Sequence, residues 1–287
     1  MMDDDAHDET GFRAIFDGRT LDGWHAAPRV YGTVRPGGPM LADVSDEPLP
    51  DPAEAVRHAA VWRVEDGAIV GEQDAPGSGF GGYLVSNEAF GDIELRLQMR
   101  PDWPADTGVM LRRLRDSWEG LQVLVDHRRS GSIGGFYGNG LAGFHAVPFS
   151  IDAGLDAAGR PDRLVLQDPA TSVEPLTPEK RALLTRAGDP DAFLAAWRFG
   201  DWNDLRVRCV GALPVLTTWV NDVLVAELDV AAITWPGFDP AAVLAALGPR
   251  GHIAFEVHDN DPLLGEERWG VGAACRWRDV RVRDLAG

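Results

Sequence analysis

The sequence has only two cysteines in 287 residues, Cys209 and Cys275, and no Cys-x-x-Cys pair. That excludes a disulfide framework and the usual zinc clamp. Each cysteine lies in a strand-like run and reads as a small buried thiol. No apolar stretch approaches the length of a membrane span. Basic residues are few, 27 Lys and Arg against 45 Asp and Glu, for a formal net charge of −18. Such a surface repels phosphate backbones, so the expected partners include no nucleic acid and no membrane. The first residues, Met-Met-Asp-Asp-Asp-Ala-His-Asp-Glu-Thr, lack the basic and apolar regions of a signal peptide. They give the expectation of a cytoplasmic protein with a disordered acidic tail over residues 1–10. There is no internal repeat, no dinucleotide or phosphate-binding glycine pattern and no Gly-x-Ser-x-Gly elbow.

What is present is ordinary for a folded chain: 45% apolar and 25% charged residues, enough for a sizeable core. Ten tryptophans are an excess. Some belong to a core, and Trp also stacks on the apolar face of a sugar ring while its N–H donates. The stretch from Val109 to Gly138 is the organising one. Its apolar runs Val109–Leu111 and Leu121–Val125 read as a buried hairpin. Arg112, Glu119, Gln122, Asp126 and His127 lie in or beside these runs. Burying such groups is costly unless they find partners or a ligand; the alternative is a hairpin with a solvated outer face.

Along the chain, Phe12–Phe16 reads as a short strand. Residues 26–58, with six prolines, read as an irregular insertion holding one short helix candidate, Pro52–His58. Val61–Val64 and Ala68–Gly71 flank an Asp66-Gly67 turn. Ile93–Arg100 alternates strictly between apolar and polar residues, as a half-buried antiparallel strand does. Residues 131–143 read as a glycine-rich link and 152–177 as loop. Thr177-Pro178 and Asp239-Pro240 open helices, each with a cap and a proline at the first position. Strands resume at Asp204–Val210, Val215–Val220, Val223–Leu228, Ile253–Val257 and Cys275–Val282. Short strands with helices confined to insertions predict an all-β antiparallel sandwich, a single domain over residues 11–287 with insertions at about 26–58 and 140–200.

Several runs together resemble the 3-keto-disaccharide hydrolase family, also described as 3-keto-glucoside 1,2-lyase/3-keto-2-hydroxy-glucal hydratase. They are Phe16-Asp17-Gly18-Arg19-Thr20-Leu21-Asp22-Gly23-Trp24, Trp62-Arg63-Val64-Glu65-Asp66-Gly67 and Phe90-Gly91-Asp92-Ile93-Glu94-Leu95. Thr107-Gly108-Val109 with Arg112, Gly135-Phe136-Tyr137-Gly138, Trp202-Asn203, Gly251-His252-Ile253 with His258, and Trp277-Arg278-Asp279-Val280 follow in the family's order. The resemblance implies a concanavalin A-like jelly roll with its site on the concave sheet, acting on sugars oxidised at C3. The sequence departs from it at Asp106, where the family usually has Asn, and at Gly120, where it usually has Glu. Glu119, one position earlier, could replace that Glu through a bulge.

A ketone at C3 acidifies the hydrogen at C2, so a base can remove it and the aglycone can leave from C1. Water then adds back. Such chemistry needs a base, an acid and a donor or cation for the enolate. Arg112 is the enolate candidate, His145 and His258 are base candidates, and Glu119 with Glu256 form an alternative acid/base pair. Gln122, Asp126, His127, Tyr137, Trp202 and Arg278 are the expected substrate contacts. Asp126 and His127 are adjacent and, in a strand, face opposite ways. No metal ligand and no cofactor are assigned; a divalent ion such as Ca²⁺ on loop carboxylates stays open. The expected partners are a small sugar and a separate oxidoreductase that makes the ketone. Two other readings stay open: a non-catalytic carbohydrate-binding jelly roll, and a conventional glycoside hydrolase with two carboxylates.

Overall fold

The computed structural model describes residues 10–46 and 48–285. Most of the expected N-terminal tail, residues 1–9, lies outside the described residues. The fold is a concanavalin A-like jelly roll, two antiparallel sheets packed face to face. One sheet runs in the order His145–Ala146, Ile133–Asn139, Gly120–His127, Ala105–Arg113, Gly251–Val257, Gly82–Phe90 and Trp24–Pro28. The other runs Arg186–Ala187, Val223–Asp229, Val215–Val220, Asn203–Val210, Ile93–Pro101, Cys275–Asp284, Ala68–Glu72 and Val61–Glu65, with Arg13–Ala14 paired on Cys275–Asp284.

The period of two decides what each strand buries. On Gly120–His127, Leu121, Val123 and Val125 enter the core between the sheets. Ile253, Phe255 and Val257 do so on the neighbouring Gly251–Val257, and Ile93, Leu95, Leu97 and Met99 come from the opposite sheet. Trp24, Phe255 and Trp277 stack in series across the two layers, with centroids 5.4 and 4.8 Å apart. Helices are short and peripheral. Thr177 accepts from Lys180 N at 3.4 Å and Asp239 from Ala241 N at 2.9 Å, and a proline follows each cap where its missing N–H costs nothing.

The structure differs from the sequence reading in three places. Residues 133–139, read as a link, form an inner strand, because the glycines are there for close approach: a methyl group on Gly138 would lie 2.4 Å from the Phe144 ring. Residues read as loop contain a hairpin, Ile151–Leu155 with Pro161–Leu166. The proline-rich insertion opens with an edge strand, Trp24–Pro28, in register with Gly82–Ser86. Among the described residues no helix is long and apolar enough to cross a membrane.

Candidate active site

The face of the seven-stranded sheet turned away from the core carries the polar residues. The hairpin register sets Asp106 opposite Asp126, Gly108 opposite Leu124 and Met110 opposite Gln122. A methyl group at Gly108 would meet Gln122 Nε2 at 2.5 Å, so the glycine leaves room for that side chain. Gln122 Nε2 then donates to Glu256 Oε2 at 2.6 Å on the next strand, and Asn139 donates to Gln122 Oε1 at 3.4 Å. This face is not solvated. Residues 29–41 and 48–50, Glu174 and the 258–268 loop cover it and enclose a cleft of about 210 Å³. That is below the roughly 300 Å³ at which pockets for drug-sized ligands begin, and suits one small ring.

Two arginine-centred networks wall the cleft. Arg29, just beyond the edge strand, donates from Nε to Glu256 Oε1 at 2.7 Å, and from Nη2 to His258 Nε2 at 3.0 Å. Its Nη1 bonds both Asp259 Oδ1 and the Tyr31 hydroxyl. Tyr31 donates in turn to Asp259 Oδ2 at 3.0 Å and meets Trp118 edge-on at 5.2 Å. On the other side Arg128 donates from Nε to Asp106 Oδ2 and from Nη2 to Glu174 Oε2, both at 2.7 Å. Arg268 places its Nε 2.7 Å from the same Asp106 oxygen and its Nη1 3.2 Å from Asp261.

Burial and these cations set the charge states. For Asp106, burial acts to raise its pKa, but Arg268 and Arg128 outweigh it and hold the carboxyl well below its usual range. Asp126, buried and facing the Asp106 charge, is pushed well above it. Burial likewise raises Glu256 and Asp259 in spite of Arg29. His258 is driven well below an ordinary imidazole by burial and by Arg29 and Arg268. Its Nδ1 lies 2.7 Å from Asp259 O and must carry the proton, so Nε2 accepts from Arg29 and its lone pair is engaged. His145, opposite Tyr137 in the sheet, is lowered to about 4, chiefly by burial, and is neutral at pH 7. Its Nδ1 faces Glu174 Oε1 at 3.6 Å, while Nε2 is buried without a partner.

The structure thus brings His145, His258, Gln122, Asp126 and Tyr137 to one cleft, with Glu256 directly beneath it. It does not bring the other expected residues there. Arg112 adopts a positive φ of 51°, which turns its side chain off the cleft face to Asp92 at 3.0 Å, Gly211 O at 3.2 Å and Cys209 Sγ at 3.4 Å. Glu119 precedes its strand and packs against Gly32 and Gly140 instead of lining the cleft. His127, one residue past Asp126, points the opposite way into a box of Trp103, Trp197 and Phe199. Trp202 and Arg278 stack on each other at 4.1 Å beside the other sheet, where Arg278 Nε donates to Gln98. The reading of residue types missed Arg29, Tyr31, Glu174 and Arg268, which come from covering loops, and Arg128, just past the end of the Gly120–His127 strand. Among the described residues no group of three or more His, Cys, Asp or Glu is arranged to hold a metal ion.

A model of the 3-keto-alpha-glucoside-1,2-lyase-like domain matches residues 11–283. The chain belongs to that family. Among curated proteins nothing matches the chain. Solved structures similar to this lyase-like domain include a Parabacteroides distasonis protein provisionally described as a glycosyl hydrolase, 12% identical, with 96% of this chain and 94% of that one covered at a TM-score of 0.46. The carbohydrate-binding module CBM66 of Bacillus subtilis is 11% identical, with 78% and 92% covered at 0.40. A Bacillus subtilis protein of unknown function with a galectin-like fold is 10% identical, with 79% and 87% covered at 0.40.

Proposed function

We propose that this lyase-like domain cleaves glycosides of sugars oxidised at C3, by taking the proton from C2, expelling the aglycone from C1 and returning water to the product. The observation that carries the reading is His145. Its imidazole is neutral, its Nδ1 lies 3.6 Å from Glu174, its buried Nε2 has no partner, and the residue lines a cleft that also holds Arg128 and Arg268. A neutral imidazole facing a carboxylate acts as a general base once the substrate ring reaches its Nε2, and guanidiniums beside it stabilise the enolate that proton removal creates. Arg128 and Arg268 take the role the sequence suggested for Arg112. His258 is the weaker base because Arg29 occupies its Nε2.

A non-catalytic sugar-binding module would present an aromatic platform with unperturbed polar groups. Here Trp24, Trp197, Trp269 and Trp277 are buried in the core, and Trp118, the tryptophan that lines the cleft, is itself buried and held edge-on to Tyr31 instead of forming an open platform. The cleft also holds ionisable groups whose pKa values are pushed in both directions. A conventional glycosidase separates its carboxyls by about 5 Å or more. Asp106 and Asp126 are directly opposite each other in the hairpin register, neighbouring side chains with no room for a sugar between them. The substrate ketone requires a separate alcohol-oxidising enzyme upstream.

The test is proton exchange. The protein is incubated with 3-keto-glucosides of both anomers in D₂O and the sugar followed by NMR, beside His145→Ala and His258→Ala. Deuterium at C2 with aglycone release, abolished in His145→Ala and retained in His258→Ala, is the expected result. Neither exchange nor release with any anomer would leave the binding-module reading in its place.

A further inference from the structure

The cleft contains a pair that the base and the arginines do not account for. Asp106 and Asp126 are directly opposed across the hairpin, and both line the cleft. Like charges directly opposite in an antiparallel pair repel, and the repulsion grows when neither reaches water. Asp106 is 2% exposed and Asp126 4%. The surroundings break the symmetry. Asp106 Oδ2 accepts from Arg128 Nε at 2.7 Å and is ion-paired with Arg268, whose Nε lies 2.7 Å away without hydrogen-bond geometry, whereas Asp126 has only a 3.6 Å approach from Arg128 Nη2. The remaining titratable neighbours are Glu174 and Lys180, which face Asp126, and Glu256 and the neutral His258, which face Asp106. One oxygen of Asp126, Oδ1, is buried with no hydrogen-bond partner.

We infer that Asp106 and Asp126 hold a single proton, kept on Asp126, and that Asp126 is the acid that delivers it to the departing glycosidic oxygen. The delivery rests on the elimination described above; the proton sharing does not. The neutral state of Asp126 agrees with the direction in which its surroundings push it. In the first half-reaction His145 Nε2 takes the C2 proton and the electron pair passes to the C3 oxygen as an enolate. The enolate collapses to a C1–C2 double bond, the C1–O bond breaks, and its electron pair takes the proton of Asp126. The products are the alcohol and an unsaturated 3-keto sugar, with His145 charged and both carboxyls ionised. In the second half-reaction water adds at C1, Asp126 receives the water proton, and His145 returns its proton to C2. The sum is glycoside plus water giving keto sugar plus alcohol, with every protein group back in its starting state. Two carboxyls sharing one proton serve this cycle because the same group must be an acid in one half and a base in the other.

Two measurements on the full chain separate the parts. The first is infrared difference spectroscopy between pH 5 and 9, with ¹³C-carboxyl aspartate to assign the band. A protonated-acid C=O band present at pH 7, lost in Asp126→Asn and moved to lower pH in Asp106→Asn, is the expected outcome. Both carboxyls ionised at pH 7 would overturn the sharing, and this reading needs no substrate. The second is the dependence on the leaving group. Asp126→Asn should lower kcat at least 100-fold for alkyl 3-keto-glucosides, spare 4-nitrophenyl ones to within 10-fold, and keep C2 exchange. Equal losses on both substrates would overturn the delivery. Should Asp126→Asn not fold, Asp126→Glu substitutes, with the same contrast expected in weaker form. Absence of turnover by the wild-type protein refutes the elimination and with it the delivery, and the infrared result alone then decides the sharing.

Discussion

Replacing Arg29 by Met should expose how the cleft is held together. The Arg29 side chain is 4% exposed and its partners Glu256 and Asp259 are 0% and 2% exposed. Met keeps the apolar volume near the stem but strands two carboxyls and frees His258 Nε2 and the Tyr31 hydroxyl from their shared partner. Removing one partner of a buried ion pair costs about 3–5 kcal/mol. Two stranded carboxyls would exceed that, except that each can take up a proton. The loss at pH 8 is therefore expected near the same 3–5 kcal/mol. It should also depend on pH. Without Arg29 the folded-state pKa values of Glu256 and Asp259 rise further above their unfolded values. A carboxyl so raised contributes stability that is present at low pH and lost as pH rises toward its folded pKa. The His258 imidazole, relieved of the adjacent cation, accepts a proton more readily, which works in the same direction. The deficit of Arg29→Met relative to wild type should shrink by at least about 1 kcal/mol between pH 8 and 5.5, since one pKa unit is worth about 1.4 kcal/mol. Urea unfolding followed by tryptophan fluorescence at the two pH values measures it. A deficit below about 1 kcal/mol at pH 8, or one that does not change with pH, refutes the account of Arg29 as the compensating cation.

Other substitutions probe single features. His127, fully buried in its aromatic box, has its pKa lowered to about 4 by burial. Its stabilising neutrality is complete above about pH 6.5 and lost as pH falls through 4, a loss of about 3 kcal/mol at 1.4 kcal/mol per unit. His127→Phe should move the acid-unfolding midpoint to lower pH by circular dichroism; an unchanged midpoint counts against it. Gly138→Ala, which drives a methyl group to 2.4 Å from the Phe144 ring, should lose about 1–3 kcal/mol in chemical denaturation. Arg112→Met removes bonds to Asp92 and Gly211 O and should destabilise by about 1–3 kcal/mol while kcat on 3-keto-glucosides stays within twofold of wild type. A larger fall in kcat without unfolding would restore Arg112 to the site.

The strands were legible where periodicity or turn chemistry spoke alone. Ile93–Pro101 sends Ile93, Leu95, Leu97 and Met99 into the core as read, although Glu94 and Arg96 on its other face are buried too, and the Asn221-Asp222 and Asp66-Gly67 turns join the strands expected. The glycine-rich strand Ile133–Asn139 was not, because the usual meaning of Gly is a turn. Here Gly135 and Gly138 are small for Val147 and Phe144, which the chain brings up later. The site was half legible. Gln122 and Asp126 share a face by strand parity, and that parity also sent His127 away. Placing Asp106 opposite Asp126 needed the register of a hairpin whose connection runs over Leu114–Glu119, too long for a two-residue turn to fix it. Arg29 meets Glu256 across 227 positions and Arg128 meets Glu174 across 46, and no local pattern encodes such pairs. The misplacement of Arg112 has a local cause: a left-handed residue interrupts the alternation, so Arg113 rather than Arg112 turns to the cleft face and stacks on Tyr83 at 4.5 Å.

The charge balance of the cleft bears on the substrate. Among the described residues its walls and floor hold six carboxyls, Asp106, Asp126, Glu174, Asp259, Asp261 and Glu256, against three guanidiniums, Arg29, Arg128 and Arg268. Three of the six, Asp126, Asp259 and Glu256, have their pKa values pushed up. The carboxyls outnumber the guanidiniums, and every guanidinium is committed to carboxyls of the protein itself. A neutral ketone enters without upsetting that balance, and transfer of its C2 proton to His145 separates charge without changing the total. A sugar bearing a carboxylate would add an anion to a cleft whose carboxyls already outnumber its guanidiniums, each of which bonds or faces at least two of them. The domain should therefore turn over 3-keto-glucosides with a kcat/KM at least 10-fold above that for the matching 3-keto-glucuronides, and the gap should narrow on acidification as the uronic acid takes its proton. Equal values for the two at pH 7.5 would mean that the arginines are less committed to their carboxyls than the geometry makes them.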